Sequence, residues 1–407
     1  MKSKEKMKRI TNLYQQIISL DNLRLADAKA QKGKAWQYGV QLHSRNSEAN
    51  LQALHEMLLN KTYRTSQYTI FKVYEPKERD VYRLPYYPDR IVHHAIMNVL
   101  EPLFVSVFTA DTYSCIKKRG IHAAANAVKK ALQDAPGTQY CFKMDIKKFY
   151  PSINHGVIKQ LIRRKIKDKD LLWLLDEIID SADGLPIGNY LSQYLANFYL
   201  TYFDHWIKEQ KQVQYYFRYA DDLVILSNSK EHLHSLFANI KQYLTDNLLL
   251  TVKSNWQIFP VAARGIDFVG YVFYHTHTRL RKGIKQNFAR MLATKPSLPS
   301  IASYHGWMKH CNANHLTKTL LHESIQRHGH HSTGISIYRR QNKTQQDIER
   351  RNNCTPLQNR EIEVRRKRQW QSPGIAAGIQ KQSADTVLWI YNTDGNDKQS
   401  TRTKISI

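Results

Sequence analysis

The sequence predicts an α+β fold, and three observations support this. Apolar residues recur at helical spacing over long stretches, as Leu13, Ile17 and Leu20 do near the start of the chain. Short apolar runs typical of strands, such as residues 140–146, interrupt these stretches. Strands and helices then alternate without a regular βαβ repeat, which argues against a doubly wound parallel sheet.

The elements are predicted in the following order. Residues 1–60 are helical, and residues 61–90 form short strands interrupted by Pro76, Pro85 and Pro88. Further helices are predicted over 91–103, 121–132, 155–181, 191–210, 232–247 and 284–326, and further strands over 140–146, 214–219, 223–227, 249–252, 257–259 and 267–274.

The chain is strongly basic. Its 407 residues include 61 Lys and Arg against 34 Asp and Glu, a net charge of +27. Nucleic acid is the first partner that such a charge suggests, although an anionic membrane or a merely solvated basic surface would also fit. No apolar run is long enough to span a bilayer, the start of the chain lacks a secretory signal, and the four cysteines form no CxxC pair. We therefore expect a cytoplasmic protein without membrane contact.

The last 81 residues differ from the rest. From Arg327 onward, large apolar residues are scarce, and 15 Lys and Arg face 7 Asp and Glu. This composition predicts a basic polar tail, residues 327–407, with little stable structure. The remainder of the chain is also basic, so the tail alone does not explain the net charge.

Three aspartates occupy unusual positions. Asp221 and Asp222 lie between two apolar, strand-like runs, and Asp145 ends a third such run. Adjacent like charges repel, so placing them between buried strands is costly without a cation. Carboxylates from neighbouring strands can bind two Mg²⁺ ions, which prefer oxygen ligands. The alternative is an ordinary surface turn, since acidic residues are common in turns.

These aspartates belong to segments that resemble the palm of a reverse transcriptase: Tyr219-Ala-Asp-Asp222 and Asp145-Ile-Lys-Lys-Phe-Tyr150. Five further segments resemble the family's motifs in its order, namely residues 83–90, 114–123, 185–193, 250–253 and 268–271. The resemblance implies a right-hand polymerase with fingers, an antiparallel-sheet palm and a helical thumb. It implies an N-terminal extension over 1–60, fingers over 61–139, palm over 140–275 with a fingers portion inserted at about 155–183, and thumb over 276–326.

The segment Ile187-Gly-Asn-Tyr-Leu-Ser-Gln193 narrows the resemblance. It is similar to the pattern in reverse transcriptases of diversity-generating retroelements, which are encoded by bacteria or phages. That resemblance implies copying of a template-repeat RNA into cDNA, with errors at adenines, to diversify a target gene. It also implies dNTP substrates, an RNA/cDNA duplex and a small accessory variability protein as partners.

The resemblance also assigns roles to single residues. Asp145, Asp221 and Asp222, with the backbone carbonyl of Ile146, would hold two Mg²⁺ ions, for which Mn²⁺ could substitute. Lys253 would act as general acid toward pyrophosphate, unless it is simply an exposed lysine. Residues expected to bind dNTP are Tyr150, Arg83, Arg79, Lys77, Ile187, Gly188 and Gln193, and those expected to contact nucleic acid are Arg119, Tyr219, Phe268, Gly270 and Tyr271.

Two of these positions carry specific hypotheses. The ring of Tyr150 would clash with a ribose 2′-hydroxyl and so select dNTP, whereas the alternative is a plain core aromatic. Ile187 offers no hydrogen bond where a glutamine would, which predicts weaker discrimination between nucleotides; the alternative is core packing.

Other functions remain open from sequence. One is a reverse transcriptase of another bacterial branch, such as antiphage defence, retron or group II intron types. Another, of a different class, is a non-catalytic RNA-binding scaffold, against which the intact Asp145, Asp221 and Asp222 argue. The histidines within residues 275–277 and 328–331 lack accompanying cysteines, and solvated or core roles suit them better than metal binding.

Overall fold

The computed structural model describes residues 10–74, 78–294, 296–316 and 318–320, together with the backbone of 387–391 and 402–406. The chain divides into two units, residues 1–332 and 333–407. The first unit contains all the helices described below and three of the four sheets.

Helices are the main regular elements of the first unit. They are α1 (Tyr14–Ile18), α2 (Leu20–Gln31), α3 (Tyr38–Ser44), α4 (Ser47–Leu59), α5 (Ile91–Val107), α6 (Ile121–Ala131), α7 (His155–Lys165), α8 (Lys169–Ile179), α9 (Tyr190–Tyr199), α10 (Thr201–His205), α11 (Lys230–Leu248), α12 (Val261–Arg264), α13 (Lys282–Thr294) and α14 (Leu298–Met308). Short helical turns at Tyr86–Arg90, Tyr150–Ser152 and Trp206–Gln210 link them to their neighbours.

The four N-terminal helices pack on one another, and α1 and α2 also pack on α5. Their apolar residues fall on one face, so Leu23, Leu54 and Ile96 are fully buried in the main core. Asp168 joins this layer to α8, because its carboxylate accepts hydrogen bonds from the backbone N–H of Leu13 at 2.8 Å and of Leu171 at 3.2 Å. The N-terminal helices are therefore part of the core of this unit.

The strands form small antiparallel sheets. In the first unit, β1 (Thr69–Val73) pairs with β2 (Arg79–Arg83). The central sheet contains β3 (Tyr140–Asp145), β4 (Tyr215–Tyr219), β5 (Asp222–Ser227) and β6 (Gln257–Pro260), in the order β4-β5-β3-β6. The third sheet contains β7 (Ile266–Phe268), β8 (Tyr271–Phe273) and β9 (Thr278–Leu280).

The central sheet is buried on both faces. Four consecutive residues of β5, 223–226, are buried, which a strand shows only when both of its faces are covered. Phe142 and Ile225 pack in the same core as Leu236 and Ile240 of α11. The middle strands β3 and β5 are thus held firmly at the point where their aspartates emerge.

The predicted α+β class is confirmed, with two local corrections. Residues 249–252 form no strand, because α11 ends in the left-handed residue Leu249 (φ +52°), and only an isolated bridge joins Val252 to Ile146. The predicted strand over 267–274 is interrupted at Val269 and Gly270, whose positive φ angles (+42° and +89°) turn the chain between β7 and β8.

The tail is only partly described. Within it, β10 (Val387–Tyr391) and β11 (Arg402–Ser406) pair antiparallel. Its first strand coincides with an apolar, β-prone run of the sequence. The rest of the predicted tail lies outside the described residues.

Candidate active site

The three predicted aspartates meet at one end of the central sheet. Asp145 ends β3 and lies directly opposite Asp222, which begins β5. Asp221 occupies the two-residue turn between β4 and β5, and its carbonyl accepts the Ile146 N–H at 3.3 Å. Antiparallel pairing therefore converts two distant segments into one carboxylate cluster. The turn is strained, since Ala220 has φ +54°, a region that residues other than glycine rarely adopt.

Two lysines partly offset the negative charge of this cluster. Lys253 Nζ lies 3.1 Å from Asp145 Oδ2 and 4.0 Å from Asp221 Oδ2. Its backbone N–H also donates to the carbonyl of Asp145 at 2.9 Å, which fixes the residue beside β3. Lys143 Nζ lies 3.5 Å from Asp222 Oδ2. These positive charges reduce the repulsion between the neighbouring carboxylates.

The pKa values of Asp221 and Asp222 reflect crowding of carboxylates in a partly buried site. Burial, reinforced by Asp145, raises the pKa of the Asp221 carboxyl above its ordinary range, against the opposing charges of Lys253 and Arg79. Burial likewise raises the pKa of Asp222 to about 7, with Lys143 opposing the shift. Perturbed carboxylates of this kind cluster at functional sites.

The donor set suits a divalent cation. Asp222 Oδ1 is buried without a hydrogen-bond partner, and carboxylate oxygens are the ligands that Mg²⁺ prefers. In the described part of the chain, no group of three or more His, Cys, Asp or Glu is already drawn together as a metal site.

A buried hydrogen-bond network behind the turn was not predicted from the sequence. The side chain of Arg218, the residue before Tyr219, is fully buried and donates to both carboxylate oxygens of Asp204, at 2.8 Å and 2.6 Å. It also donates to the Ala220 carbonyl at 3.1 Å and to Asn197 Oδ1 at 3.1 Å. The position of Arg218 in an otherwise apolar strand is the sequence feature that could have indicated a buried ion pair.

Tyr150 lies near the cluster, as expected. It begins the helical turn after β3, and its ring packs edge-on against Phe149 with centroids 5.6 Å apart. Burial raises its pKa, with Asp221 among the charges that add to the shift. Its carbonyl accepts the N–H of Leu185 at 2.9 Å, which ties it to the segment leading into α9.

Ile187 and Gly188 adjoin the β1–β2 hairpin. The carbonyl of Ile187 accepts the N–H of Tyr82 at 2.8 Å, and the Ile187 side chain is outside the buried core. Gly188 has φ +120°, and a Cβ there would lie 2.4 Å from the Tyr82 carbonyl oxygen. Only glycine permits this close approach. Gln193 is exposed on α9.

The predicted triphosphate clamp is partly described. Arg79 and Arg83 are exposed at the two ends of β2, and the charge of Arg79 opposes the rise in the pKa of Asp221 that burial causes. Arg83 lines a cavity together with Gly188. Lys77 lies outside the described residues.

Two residues predicted to contact nucleic acid, Tyr219 and Arg119, are partly exposed. Tyr219 is half-buried opposite Asp222 at the end of β4. Arg119 donates from Nη1 to the carbonyls of Thr109 at 2.7 Å and Thr112 at 2.9 Å, so part of its guanidinium braces a loop.

The predicted primer grip is a tight turn with buried flanks. Phe268 and Tyr271 are fully buried, and the Tyr271 hydroxyl donates to the Trp307 carbonyl at 2.9 Å. A Cβ at Gly270 would lie 2.3 Å from the Trp307 ring. Val269 and Gly270, which form the turn, are buried as well.

Comparison with known proteins agrees with this geometry. Residues 75–273 match the family described as reverse transcriptase (RNA-dependent DNA polymerase). The chain is 24% identical over 294 residues to Protein YkfC of Escherichia coli K12, covering 60% of this chain and 75% of that protein. It is 31% identical over 132 residues to the Retron Ec73 reverse transcriptase of Escherichia coli, covering 29% of this chain and 40% of that enzyme.

Among solved structures, a telomerase from Candida albicans in complex with a fragment of telomeric RNA is similar with a TM-score of 0.43 and 11% identity, over 68% of this chain and 56% of that one.

The fold and the family match together define an RNA-directed DNA polymerase of the right-hand type. Residues 75–273, just under half of the chain, match the reverse transcriptase family, and this segment contains Asp145, Asp221 and Asp222. In the described part of the chain, no helix is both long and apolar enough to cross a bilayer.

Proposed function

We propose that the chain copies an RNA template into DNA with two divalent metal ions held by Asp145, Asp221 and Asp222. The direct pairing of Asp145 with Asp222, beside the Asp221 turn, is the observation that carries this proposal. Mg²⁺, or Mn²⁺ in its place, would be bound by these carboxylates and the Ile146 carbonyl, and would supply activation of a 3′-hydroxyl and stabilisation of pyrophosphate.

The chain's own residues supply orientation and charge. Lys253, whose Nζ lies 3.1 Å from Asp145, would carry a proton toward the leaving pyrophosphate, and Arg79 and Arg83, exposed on the hairpin, would bind the triphosphate. Tyr150 presents a ring beside the carboxylates for selection of deoxyribose. Binding through such groups is sequence-neutral, while base pairing with the template carries the information.

We assign the parts of the hand accordingly. Residues 1–60 form an extension, 61–139 the fingers, 140–275 the palm with a fingers portion at about 155–183, and 276–326 the thumb. The location expected for such an enzyme is the cytoplasm of a bacterium.

The template that we propose is the template-repeat RNA of a diversity-generating retroelement, copied with low fidelity at adenines. The support is the Ile187-Gly188 pair together with Ser192-Gln193, and the position of Ile187 outside the core. A small accessory variability protein would be the partner. A second candidate is a reverse transcriptase of another bacterial branch, which the similarity to the Retron Ec73 enzyme favours.

Primer extension on an RNA template with Mg²⁺ tests the polymerase. We expect extension by the natural chain and none by Asp221→Asn or Asp222→Asn, with Asp246→Asn on α11 as a matched control that remains active. Equal extension by all variants would overturn the metal assignment, and inactivity of the natural chain would favour an RNA-binding scaffold.

Sequencing of the cDNA separates the two branches. Substitutions concentrated opposite template adenines support the retroelement, whereas an even, low error rate supports the other branch. A near-identical repeat pair differing at adenines in the adjoining DNA would give the same answer independently.

A further inference from the structure

The ring of His155 lies between two hydrogen-bond acceptors. His155 is the first residue of α7, and its side chain is partly buried. Its Nε2 lies 2.9 Å from the carbonyl oxygen of Gly184, and its Nδ1 lies 3.2 Å from Asp180 Oδ1. A carbonyl oxygen and an ionised carboxylate only accept hydrogen bonds, so both bonds form together only when both ring nitrogens carry a proton. The ring thus joins the start of α7 to two separate points of the chain.

The Asp180 carboxylate determines which way this ring faces. Asp180 directly follows the last residue of α8, and its other oxygen, Oδ2, forms an ion pair with Lys159. Lys159 and His155 are four residues apart on α7, so they approach the carboxylate from the same face of the helix. Because Asp180 holds Nδ1, the Nε2 atom is turned toward Gly184.

Gly184 is packed against the turn that carries Tyr150. Its φ angle is +60°, and a Cβ there would lie 2.5 Å from the Tyr150 carbonyl oxygen and 2.6 Å from that of Pro151. Only glycine permits so close an approach. The next residue, Leu185, is buried and donates its N–H to the same Tyr150 carbonyl at 2.9 Å. A displacement of the Gly184 peptide would therefore move the backbone of Tyr150.

The same short segment, residues 184–188, also carries Ile187. The Ile187 carbonyl accepts the Tyr82 N–H at 2.8 Å, which fixes the far end of the segment to the β1–β2 hairpin. His155 holds the near end through the Gly184 carbonyl. Two residues expected at the incoming nucleotide, Tyr150 and Ile187, are thus attached to one stretch of backbone that is held at both ends.

Placement of Tyr150 matters because selection by exclusion depends on a close fit. Misplacement of an active-site group by about 1 Å can cost on the order of a hundredfold in rate. The ring of Tyr150 excludes a ribose 2′-hydroxyl only if its backbone is held in one position. The contacts of Gly184 and Leu185 provide that hold, and His155 anchors them.

We propose that His155 is a positioning residue for nucleotide selection, because its ring holds the Gly184 carbonyl and thereby fixes the backbone of Tyr150. This inference rests on the proposed polymerase function and assigns a role in it to a residue outside the carboxylate cluster. The competing explanation is structural, with His155 serving only to fasten α7 to the end of α8. Lys159 would share that role, since its ion pair with Asp180 joins the same two helices.

Competition between rNTP and dNTP in single-nucleotide extension by the full chain tests the proposal. His155→Phe keeps a ring but has no donor, and we expect it to raise incorporation of rNTP relative to dNTP about fivefold, the factor that one ordinary hydrogen bond contributes. His155→Gln, whose amide can still donate to the Gly184 carbonyl, should keep the natural ratio. The affinity for the primer–template duplex should not change in either variant, because the displaced ring faces the incoming sugar.

Lys159→Met is the matched control. It breaks the other contact between α7 and Asp180 but leaves the Gly184 carbonyl bonded, so its ratio of rNTP to dNTP incorporation should equal that of the natural chain. Asp180→Asn, at an exposed position, keeps the test open if His155→Phe does not fold. It removes the charge that orients the ring, and we expect a smaller rise in the same ratio.

A double variant shows whether His155 acts through Tyr150. Substitutions that act through one contact are not additive, so adding His155→Phe to Tyr150→Ala should leave the ratio of Tyr150→Ala unchanged. Additive effects would overturn the proposed connection.

Two further results would overturn the proposal. One is a natural ratio in both His155→Phe and Asp180→Asn, and the other is an equal rise in Lys159→Met and His155→Phe, which would leave His155 a structural role. Primer extension with dNTP by the natural chain reports separately on the polymerase. If the natural chain extends primers while the variants keep its ratio, only the positioning role has failed; if the natural chain does not extend primers, the proposed function itself has failed.

Discussion

The guanidinium of Arg218 and the carboxylate of Asp204 form a fully buried, two-pronged ion pair behind the turn that carries Asp221. Tyr216 donates from its hydroxyl to the same carboxylate at 2.6 Å. Because Arg218 also donates to the Ala220 carbonyl, the pair anchors the strained residue of the turn from below. A fully buried charge thus holds the turn that carries Asp221.

We predict that Arg218→Met lowers the free energy of unfolding by about 3–5 kcal/mol, because it leaves the Asp204 carboxylate buried and unpaired. Urea unfolding measures this. Arg163→Met is the matched control, since the Arg163–Asp176 pair is partly exposed and should cost below about 1 kcal/mol. Similar losses for the two variants would contradict the anchoring role.

The carboxylate cluster could be predicted from sequence because each aspartate adjoins an apolar, strand-like run. When two such strands pair, the residues at their ends come together. The ion pair of Arg218 could not be predicted, because its partner Asp204 lies on a helix. No residue pattern reveals that an acidic side chain on a helix and a basic side chain on a strand will face each other. The break at Gly270 was missed although a glycine within a strand signals a bend. The contact between His155 and Gly184 depends on how α7 and α8 pack, which periodicity does not encode.

Lys253 offers a test of metal competition. Its ammonium group lies 3.1 Å from Asp145 and 4.0 Å from Asp221, where it opposes an arriving cation. Even with the dielectric constant of water, charges of +1 and +2 about 6 Å apart repel by about 1.4 kcal/mol, a factor of about ten in affinity. We expect Lys253→Met to bind Mn²⁺ about tenfold more tightly, measured by calorimetry, while extending primers more slowly. Lys147→Met is the exposed control; unchanged Mn²⁺ affinity in Lys253→Met would count against this reading.

The N-terminal helices give a prediction for pH. Although burial opposes the shift, His43, Tyr86 and Gln31 lower the pKa of the Asp27 carboxyl below its ordinary value. A carboxyl with a depressed folded-state pKa stabilises the fold above its unfolded pKa, and this contribution is lost as pH falls through the folded pKa.

Asp27→Asn should therefore destabilise the protein at pH 7, and its difference from the natural chain should shrink as pH is lowered below about 4. Urea unfolding at a series of pH values measures the difference. The control is Asp21→Asn, whose side chain is 97% exposed. A difference that stays constant with pH would show that Asp27 acts through packing and not through its charge.

Tyr150 gives a prediction for sugar selection. If its ring excludes a 2′-hydroxyl, Tyr150→Ala should raise incorporation of rNTP relative to dNTP by roughly 10–200-fold, the range that steric pockets achieve. Single-nucleotide extension with competing rNTP and dNTP measures the ratio. Tyr150→Phe keeps the ring and should behave as the natural chain does. Loss of discrimination in Tyr150→Phe as well would assign the selection to the hydroxyl group and not to the ring.

Ile187 gives the prediction on fidelity. Its backbone is fixed by the Tyr82 N–H, so a substitution changes the side chain while the chain path stays held. An isoleucine cannot form a polar contact that a mispaired nucleotide would leave unsatisfied, and such contacts are what separate correct from incorrect substrates. Ile187→Gln should therefore lower misincorporation opposite template adenine, measured by sequencing cDNA from purified enzyme. Ile187→Leu, which remains apolar, should keep the original spectrum. If Ile187→Gln and Ile187→Leu give the same errors, the side chain at this position serves packing, and the source of any infidelity lies elsewhere in the site.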